Sequence, residues 1–343
     1  MRIWVAGVTL FAGIFSGGVQ AQEAIANFYR GKTIQLVIGS SPGGGYDLYG
    51  RLVARHMGKF IPGNPNIVAS NMSGAGSIVA TQHISIVAQK DGTVMGAIFP
   101  GAIIEALVGD RSKIKYDARR LNYIGSANNE LYVCIVRADA GVKTFPDFLK
   151  GNILIGASAA GGSTRDFPLL LSNIFGANFK IVSGYPGSNE ILLAIEKGEV
   201  QGTCGVSWST ISVQRSQWLR DGFIRIMAQE GMRSSPELDK QSVPLAYSFA
   251  KTKREQQVMQ VHYDPLTFGR PFIAAAEVPT DRIESLQGAF LKAMNDPELR
   301  AEAERLRLDI APASGKEVAA IVNKIYDLSP DVIAAARAVI GNK

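Results

Sequence analysis

Short apolar runs alternate along this chain with longer segments in which apolar residues recur every three or four positions. Residues 33–39 (TIQLVIG) have the composition of a buried parallel strand, and residues 46–60 then carry apolar side chains at a helical period. The same order returns in residues 66–72 and 77–88, and residues 93–99 begin a third unit. This pattern predicts an α/β protein that opens with three strand–helix units.

A second set of alternating elements follows an apolar run at residues 131–136, which is long enough to lead the chain into another domain. The strands and helices predicted for this set occupy residues 152–157, 166–175, 179–183, 189–197, 200–206 and 224–229. After them come a strand at residues 271–276 and two helical stretches at residues 281–306 and 316–340.

The order of these elements predicts two lobes, since 343 residues exceed what one typical hydrophobic core needs. We expect lobe 1 to comprise residues 22–126 plus 230–343 and lobe 2 to comprise residues 127–229. A domain that is interrupted by a second one and then completed would hold its ligand between the two lobes.

The first 21 residues have the pattern of a bacterial signal peptide. Arg2 supplies a positive start, residues 3–15 are mostly apolar, and residues 17–21 (GGVQA) supply small residues before a cleavage site. The apolar stretch is shorter than a comfortable membrane-spanning helix, and no Cys stands at the cleavage point for a lipid anchor. We therefore expect a periplasmic protein that begins near Gln22.

Composition and charge narrow the class of function. The chain is 46% hydrophobic and 19% charged, as in ordinary folded proteins, and its net charge of +6 comes from basic residues dispersed among acids. No nucleic-acid-binding patch is evident. The three histidines are scattered without metal-ligand spacing, so we expect no metal and no other cofactor. In an exported chain, Cys134 and Cys204 either form one disulfide or remain two buried thiols.

Four turns that follow predicted strands are rich in Gly and hydroxyl residues. They are SSPGGGYD at residues 40–47, SGAGS at 73–77, SAAGGST at 158–164 and GYPGS at 184–188. In open α/β sheets, ligands bind beyond the carboxyl ends of the strands, where free N–H groups at helix starts attract anions. The Gly and hydroxyl residues of any one such turn are explained equally well by the preferences of tight turns and helix caps. Four such turns at one edge of the sheets favour a carboxylate-binding site.

One of these turns also fits part of a hydrolase motif. Residues 39–43 match the G-x-S-x-G elbow, in which a helix must follow the nucleophilic Ser directly. Here Pro42 and three glycines follow Ser41 instead. A secreted serine esterase that uses Ser41 with His262 is therefore an alternative that the motif supports only in part.

Two nucleotide motifs are also incomplete. Residues 74–80 fit a G-x-G-x-x-A fingerprint, but the next strand runs into Pro100 and Gly101 where a ribose-binding acid is required. Residues 43–47 lack the Lys and hydroxyl ending of a P-loop. We therefore predict that the chain is not an enzyme.

Six segments, taken in order, resemble the extracytoplasmic solute receptors of tripartite tricarboxylate transporters, which are called Bug proteins. The segments are IGSSPGGGYDLYGRLVARHM, NMSGAGS, KDGTVMG, GYPGSNEILLAIEKGEVQG, GRPFIAAAEVPTDRIESLQGAF and MNDPELRAEAERLRLDI. Each is degenerate alone, but the ordered set is specific and spans nearly the whole mature chain. The resemblance implies a type 2 periplasmic-binding-protein fold, with two lobes joined by two crossover strands, and integral-membrane transporter subunits as partners.

The resemblance also implies which residues hold the ligand. In this family, loop amides, hydroxyls and ordered waters at helix starts hold a carboxylate, with an acid in the first loop. Asp47 is that acid, and it either caps the first helix or accepts a hydrogen bond from a ligand hydroxyl or water. The matching positions are Ser41, Gly44, Tyr46, Asp47 and Ser77 in lobe 1, and Gly162, Ser163, Thr164, Tyr185 and Gly187 in lobe 2.

Several positions depart from the family's usual pattern. Tyr46 stands where a small Thr is usual, Trp208 adds an aromatic side chain, and residues 128–130 and 165–166 are atypical. Tyr46 and Trp208 either stack on a ligand ring or pack within the protein. The predicted ligand is therefore a small (di)carboxylate or an aromatic acid.

We interpret the chain as a monomeric solute-binding protein that closes its lobes on the ligand and delivers it to a tripartite tricarboxylate-type membrane transporter. Crossover segments near residues 126–133 and 227–231 are the expected hinges. A ligand sensor for a membrane kinase would share this fold and this site, so the sequence leaves that alternative open.

Overall fold

The computed structural model describes residues 16–109, 112–158 and 161–341. The expected α/β architecture is confirmed, since these ranges contain two β-sheets with helices along both. Residues 1–15 of the expected signal peptide lie outside the described residues, and helix α1 (Ser16–Tyr29) includes the expected cleavage site, so the signal peptide remains a prediction. Within the described ranges, no helix has the length and apolar character needed to cross a membrane.

Most strands lie close to the bounds that the apolar runs predict, because buried strands leave a strong local signal in sequence. The strands at residues 122–126 and 313–314 were not predicted. In chain order the strands are β1 Thr33–Ile38, β2 Asn66–Asn71, β3 Val94–Ala97, β4 Asn122–Ser126, β5 Tyr132–Arg137, β6 Leu154–Ala157, β7 Lys180–Ser183, β8 Gly202–Ser207, β9 Ile224–Glu230, β10 Pro271–Ala274 and β11 Ala313–Ser314.

The helices agree less closely with the sequence pattern. Each of the two predicted C-terminal helical stretches contains two helices, because Pro297 and Pro330 start new ones. The α-helices after α1 are α2 Gly45–Met57, α3 Ile78–Gln82, α4 Pro100–Val108, α5 Phe145–Lys150, α6 Ser163–Phe175, α7 Ser188–Lys197, α8 Ser216–Arg220, α9 Pro236–Lys240, α10 Lys253–Tyr263, α11 Thr280–Met294, α12 Pro297–Arg305, α13 Gly315–Tyr326 and α14 Pro330–Ile340.

The first sheet has the strand order β11-β4-β10-β3-β1-β2. Strands β2, β1 and β3 are parallel, while β10 pairs antiparallel with β3 and β4. Because parallel strands end at the same edge, the turns after β1, β2 and β3 all lie at one edge of this sheet. Helices α2 and α4 begin directly after two of these turns.

The second sheet has the order β7-β6-β8-β5-β9, with β7, β6 and β8 parallel. Strand β5 runs antiparallel to β8 and β9, and a disulfide joins Cys134 on β5 to Cys204 on β8. The two cysteines are therefore paired, which the sequence left open. Helices α6 and α7 start at the carboxyl ends of β6 and β7, as the turns predict.

The chain crosses from the first sheet to the second after β4 and returns after β9. Strands of the first sheet come from residues 33–126 and 271–314, and those of the second come from residues 132–230. The C-terminal helix α14 contacts α6 beside the second sheet as well as α4 beside the first. The lobe boundaries at residues 126 and 229 remain a prediction, and α14 contacts elements on both sides of them.

Candidate functional site

A cavity of about 600 Å³ lies at the carboxyl-end loops of both sheets. The first sheet contributes residues 40–46 and 99–101 to its lining, and the second contributes residues 161–164 and 186–190. Three of the four Gly-rich turns therefore meet at one cavity, as their position after parallel strands predicts. The fourth turn, residues 73–77, does not line it.

Of the helices that begin at this cavity, α2, α6 and α7 each have a glycine as the N-cap residue. Gly44 precedes α2, Gly162 precedes α6 and Gly187 precedes α7. Glycine has no side chain to accept a hydrogen bond from the first-turn amides, so those N–H groups remain available to another acceptor. By contrast, α5, α10 and α13 begin with Thr or Ser capping boxes. The positive ends of three helices therefore face one cavity.

Seven of the ten residues expected from the resemblance line the cavity, and three do not. Two hydroxyl groups in the second-sheet loop already donate hydrogen bonds within the protein. Ser163 Oγ donates to the Gly205 carbonyl at 2.8 Å, and Thr164 Oγ1 donates to Ser158 Oγ at 2.7 Å. At these positions the backbone amides, more than the hydroxyl protons, are free for a ligand. The seven lining residues are Ser41, Gly44, Tyr46, Gly162, Ser163, Thr164 and Gly187.

Asp47 lies behind the first loop and does not line the cavity. Its carboxylate accepts hydrogen bonds from the Gly43 amide at 2.9 Å, from Arg51 Nε at 2.9 Å and from Asn71 Nδ2 at 2.8 Å. Burial opposes its ionisation, but the hydrogen bonds from Arg51, Gly43 and Asn71 outweigh burial and lower the pKa of Asp47. Asp47 thus holds the Gly-rich loop against α2, a role that neither expected reading described.

Ser77 and Tyr185 also lie outside the lining. Ser77 is fully buried, donates from Oγ to the Gly39 carbonyl at 2.9 Å and accepts from the Phe99 amide at 3.0 Å. It therefore joins the turns that follow β1 and β3. Tyr185 packs against the apolar cluster beside the second sheet, near Gly156.

The two aromatic departures from the family pattern have different environments. Tyr46 lines the cavity with its ring centroid 4.1 Å from that of Phe99. Trp208 is nearly buried in the second-sheet core and its Nε1 donates to Glu237 at 3.2 Å, so it packs within the protein. A second aromatic pair, Tyr132 with Phe167, lines the cavity with a centroid distance of 5.7 Å.

A buried arginine stands beside the start of α2. Arg270 lines the cavity, is 6% exposed, and its Nη2 lies 2.6 Å from Glu130 Oε2. Its guanidinium carbon lies 4.1 Å from the centroid of the Tyr46 ring. Glu130 also accepts a hydrogen bond from Ser207, which lies at the end of β8. This network connects the segment after β4, the segment before β10 and both loop sets.

A second group of ionisable residues lines the same cavity. Glu105 lies on α4 and Asp166 on α6, and Asp166 pairs with Arg165 at 2.9 Å. Burial raises the pKa of Asp166 to about 7, with hydrogen bonding to Arg165 opposing the rise and the charge of Glu105 adding to it. Burial also raises the pKa of Glu105.

These charged residues are absent from the expected ligand set. The GRPF segment contains Arg270, and the atypical segments at residues 128–130 and 165–166 contain Glu130 and Asp166, so the sequence carried a weak signal for three of them. Glu105 lies in an apolar helix with no motif around it. The sequence gives no means of knowing that α4 brings its carboxyl group to the loop before α6.

The esterase alternative is not favoured by the position of His262. This histidine is buried at the cavity wall, and its Nε2 lies 3.1 Å from the Ala336 carbonyl. Burial lowers its pKa to about 4, with the hydrogen bond to Ala336 opposing the shift. Among the described residues, no hydrogen bond joins His262 to Ser41, as a nucleophile–base pair requires.

Comparison with known proteins gives a sequence relative and several solved structures. No protein-family model matches the chain. A curated protein described as the "UPF0065 protein in gbd 5'region" of Cupriavidus necator is 24% identical over 319 residues, covering 90% of this chain and 88% of that protein. The similarity thus extends through both sheets.

Solved structures with the same fold include solute-binding proteins. A TctC solute-binding protein from Polaromonas, without ligand, is 19% identical with a TM-score of 0.67, covering 91% of this chain and 99% of that one. Rpa4515 of R. palustris with adipate is 18% identical with a TM-score of 0.66, covering 90% and 98%. MatC of Rhodopseudomonas palustris with bound malate is 17% identical with a TM-score of 0.64, covering 90% and 99%. The chain therefore has the fold of the TctC solute-binding proteins and is similar along nearly its whole length to a UPF0065 protein, which confirms the resemblance that its ordered motifs indicate.

Proposed function

We propose that this chain is an extracytoplasmic solute-binding protein that captures a small carboxylate or aromatic acid and delivers it to a tripartite tricarboxylate-type membrane transporter. It binds its ligand between the loops of the two sheets and performs no chemical reaction. The lining residues of the expected set hold the carboxylate, chiefly through backbone amides.

The observation that carries this proposal is the convergence of three Gly-capped helix starts on one cavity. Each helix end presents free N–H groups and a partial positive charge, which together favour a carboxylate. Gly44, Gly162 and Gly187 leave this space open, since none of them has a side chain that would compete with a ligand. A carboxylate that meets amides from both sheets would also favour approach of the two loop sets.

The aromatic pairs support a ligand with an apolar body. Tyr46 with Phe99, and Tyr132 with Phe167, provide flat apolar surface within the cavity. Two proteins of the same fold hold the dicarboxylates malate and adipate. Those ligands support the carboxylate part of the proposal, and the aromatic walls extend it to acids that carry a ring.

Isothermal titration calorimetry with mono-, di- and tricarboxylates and with aromatic acids tests the proposal. We expect at least one compound to bind at micromolar concentration with one site per chain. If no carboxylate binds at that concentration, the proposal is wrong. Cross-linking to membrane subunits then separates delivery to a transporter from docking on a kinase.

Substitutions at Gly44 test whether helix-end amides hold the ligand. The residue has φ −80° and ψ 168°, and an added Cβ would approach only the Ser41 carbonyl, at 3.7 Å. In Gly44→Asp the new carboxylate would accept from the α2 amides and occupy the anion position. We expect ligand affinity to fall at least tenfold relative to Gly44→Ala, with thermal stability equal or higher.

Gly44→Asn is the matched control, because its side chain also caps a helix but carries no charge. It should weaken ligand binding less than Gly44→Asp does. Equal affinities for the Asp and Ala variants would show that the amides at the start of α2 do not contact the ligand.

A further inference from the structure

The charges around the cavity are distributed unevenly. At the start of α2, Arg270 Nη2 lies 3.6 Å from the position that a Cβ on Gly45 would occupy. Its charge is balanced by Glu130, but its buried Nε has no hydrogen-bond acceptor among the described residues. A buried donor without a partner is costly, and an oxygen of a bound anion would satisfy it. This end of the cavity therefore suits the ligand carboxylate.

The residues beside α6 have the opposite character. Asp166 is 8% exposed and pairs with Arg165, whose Nη1 also donates to the Ile340 carbonyl at 2.9 Å. Glu105 Oε1 lies 3.4 Å from the position that a Cβ on Gly161 would occupy. No described residue donates a hydrogen bond to its carboxylate or lies within ion-pair distance of it. Arg165 therefore makes a direct ion pair with Asp166, whereas its charge acts on Glu105 only from beyond ion-pair distance.

A dicarboxylate whose second negative charge approached the start of α6 would place that charge beside Glu105, the carboxyl group without a direct ion-pair partner. Two carboxylates at such a site repel each other and lose solvation together. A donor from the ligand would instead bond to Glu105 and reduce the cost of burying it. Burial raises the pKa of both acids, because it removes their carboxyl groups from solvent.

We infer that the ligand carries a single carboxylate, which meets Arg270 and the α2 amides, and a hydrogen-bond donor, in the simplest case an ammonium group, which meets Glu105 and Asp166. This inference rests on the proposed function and narrows its substrate class. It assigns Glu105 as a specificity-determining residue that selects amino-substituted acids over dicarboxylates.

Matched ligand series test this assignment by isothermal titration calorimetry at pH 8, which lies above the pKa of about 7 of Asp166. The aliphatic series is adipate, 6-aminohexanoate and hexanoate, in which only the group opposite the carboxylate changes. The aromatic series is benzene-1,4-dicarboxylate, 4-(aminomethyl)benzoate and 4-methylbenzoate. In at least one series the amino acid should bind tenfold more tightly than the dicarboxylate.

The Glu105→Gln variant should reduce this preference for the amino compound about tenfold, and Glu196→Gln, an exposed position on α7, should leave it unchanged. Loss of preference in both variants, or in neither, would contradict a role for Glu105. Tighter binding of the dicarboxylates by the unmodified protein would overturn this inference while leaving the proposed function intact. Failure of every compound in both series, and of the wider carboxylate panel, would overturn both.

Discussion

Replacing Asp166 by Asn removes a buried charge while keeping an oxygen that accepts from Arg165. Burial raises the pKa of Asp166 from 3.8 to about 7, against the hydrogen bond from Arg165. The folded protein therefore binds a proton at Asp166 more tightly than the unfolded chain does. This contribution to stability is fully present below pH 3.8 and is lost as the pH rises through about 7.

The size of the effect follows from the shift in pKa. A shift of about three units corresponds to about 4 kcal/mol in total, of which about 3 kcal/mol is lost between pH 5 and pH 8. The Asp166→Asn variant has no such titration. Its free energy of unfolding relative to the unmodified protein should therefore increase by about 3 kcal/mol over this interval. The difference between a neutral carboxyl group and an amide in contact with Arg165 adds an offset that does not change with pH.

Urea unfolding of both proteins at several values between pH 5 and pH 8 measures this difference directly. Asp221→Asn, at an exposed position after α8, serves as the control and should follow the unmodified protein at every pH. Curves for Asp166→Asn and the unmodified protein that stay parallel within about 1 kcal/mol would refute the reasoning, since Asp166 would then ionise without a cost.

Two further predictions concern the second sheet. Cys134→Ala combined with Cys204→Ala opens a loop of 70 residues, so the free energy of unfolding should fall by about 4 kcal/mol in urea; a loss below about 1 kcal/mol would contradict the loop-entropy argument. Gly205→Ala places a Cβ 2.2 Å from a backbone oxygen at the start of α6 at φ +68°, so it should destabilise the protein by at least about 2 kcal/mol and weaken ligand binding. Gly176→Ala, at φ +69° with open space around it, isolates backbone strain from the clash. Equal losses in these two variants would show that the contact with α6 has no separate cost.

Local pattern was sufficient to predict most strands, the longer helices of the two strand–helix sets and the turns that form the candidate site. Apolar runs bounded by Gly identify buried parallel strands, and the Gly-rich turns must follow them at a common edge. The Gly-rich turns could be identified from the residues themselves, whereas Gly44, Gly162 and Gly187 were selected through the family resemblance. The polar helix α10 was missed, since its sequence, KREQQVMQVHY, has little apolar periodicity.

The roles of individual side chains were harder to predict. Asp47 was expected at the ligand or as a helix cap, but its contacts with Arg51 and Asn71 place it behind the loop. Ser77 matches a family position, yet its hydroxyl joins two backbone segments and is fully buried. A sequence motif predicts which residue type lies near a turn. The direction of its side chain depends on the residues that pack behind that turn.

The sequence alone determined the α/β class, the presence of two sets of strand–helix units and the Gly-rich helix starts, because these depend on local periodicity and backbone conformation. Only the tertiary structure decided that Arg270 pairs with Glu130 and that Glu105 from α4 approaches Asp166 on α6. Such pairs join residues far apart along the chain, so their energies depend on distance and burial that no local pattern encodes. The chemical preference of the cavity depends on those pairs.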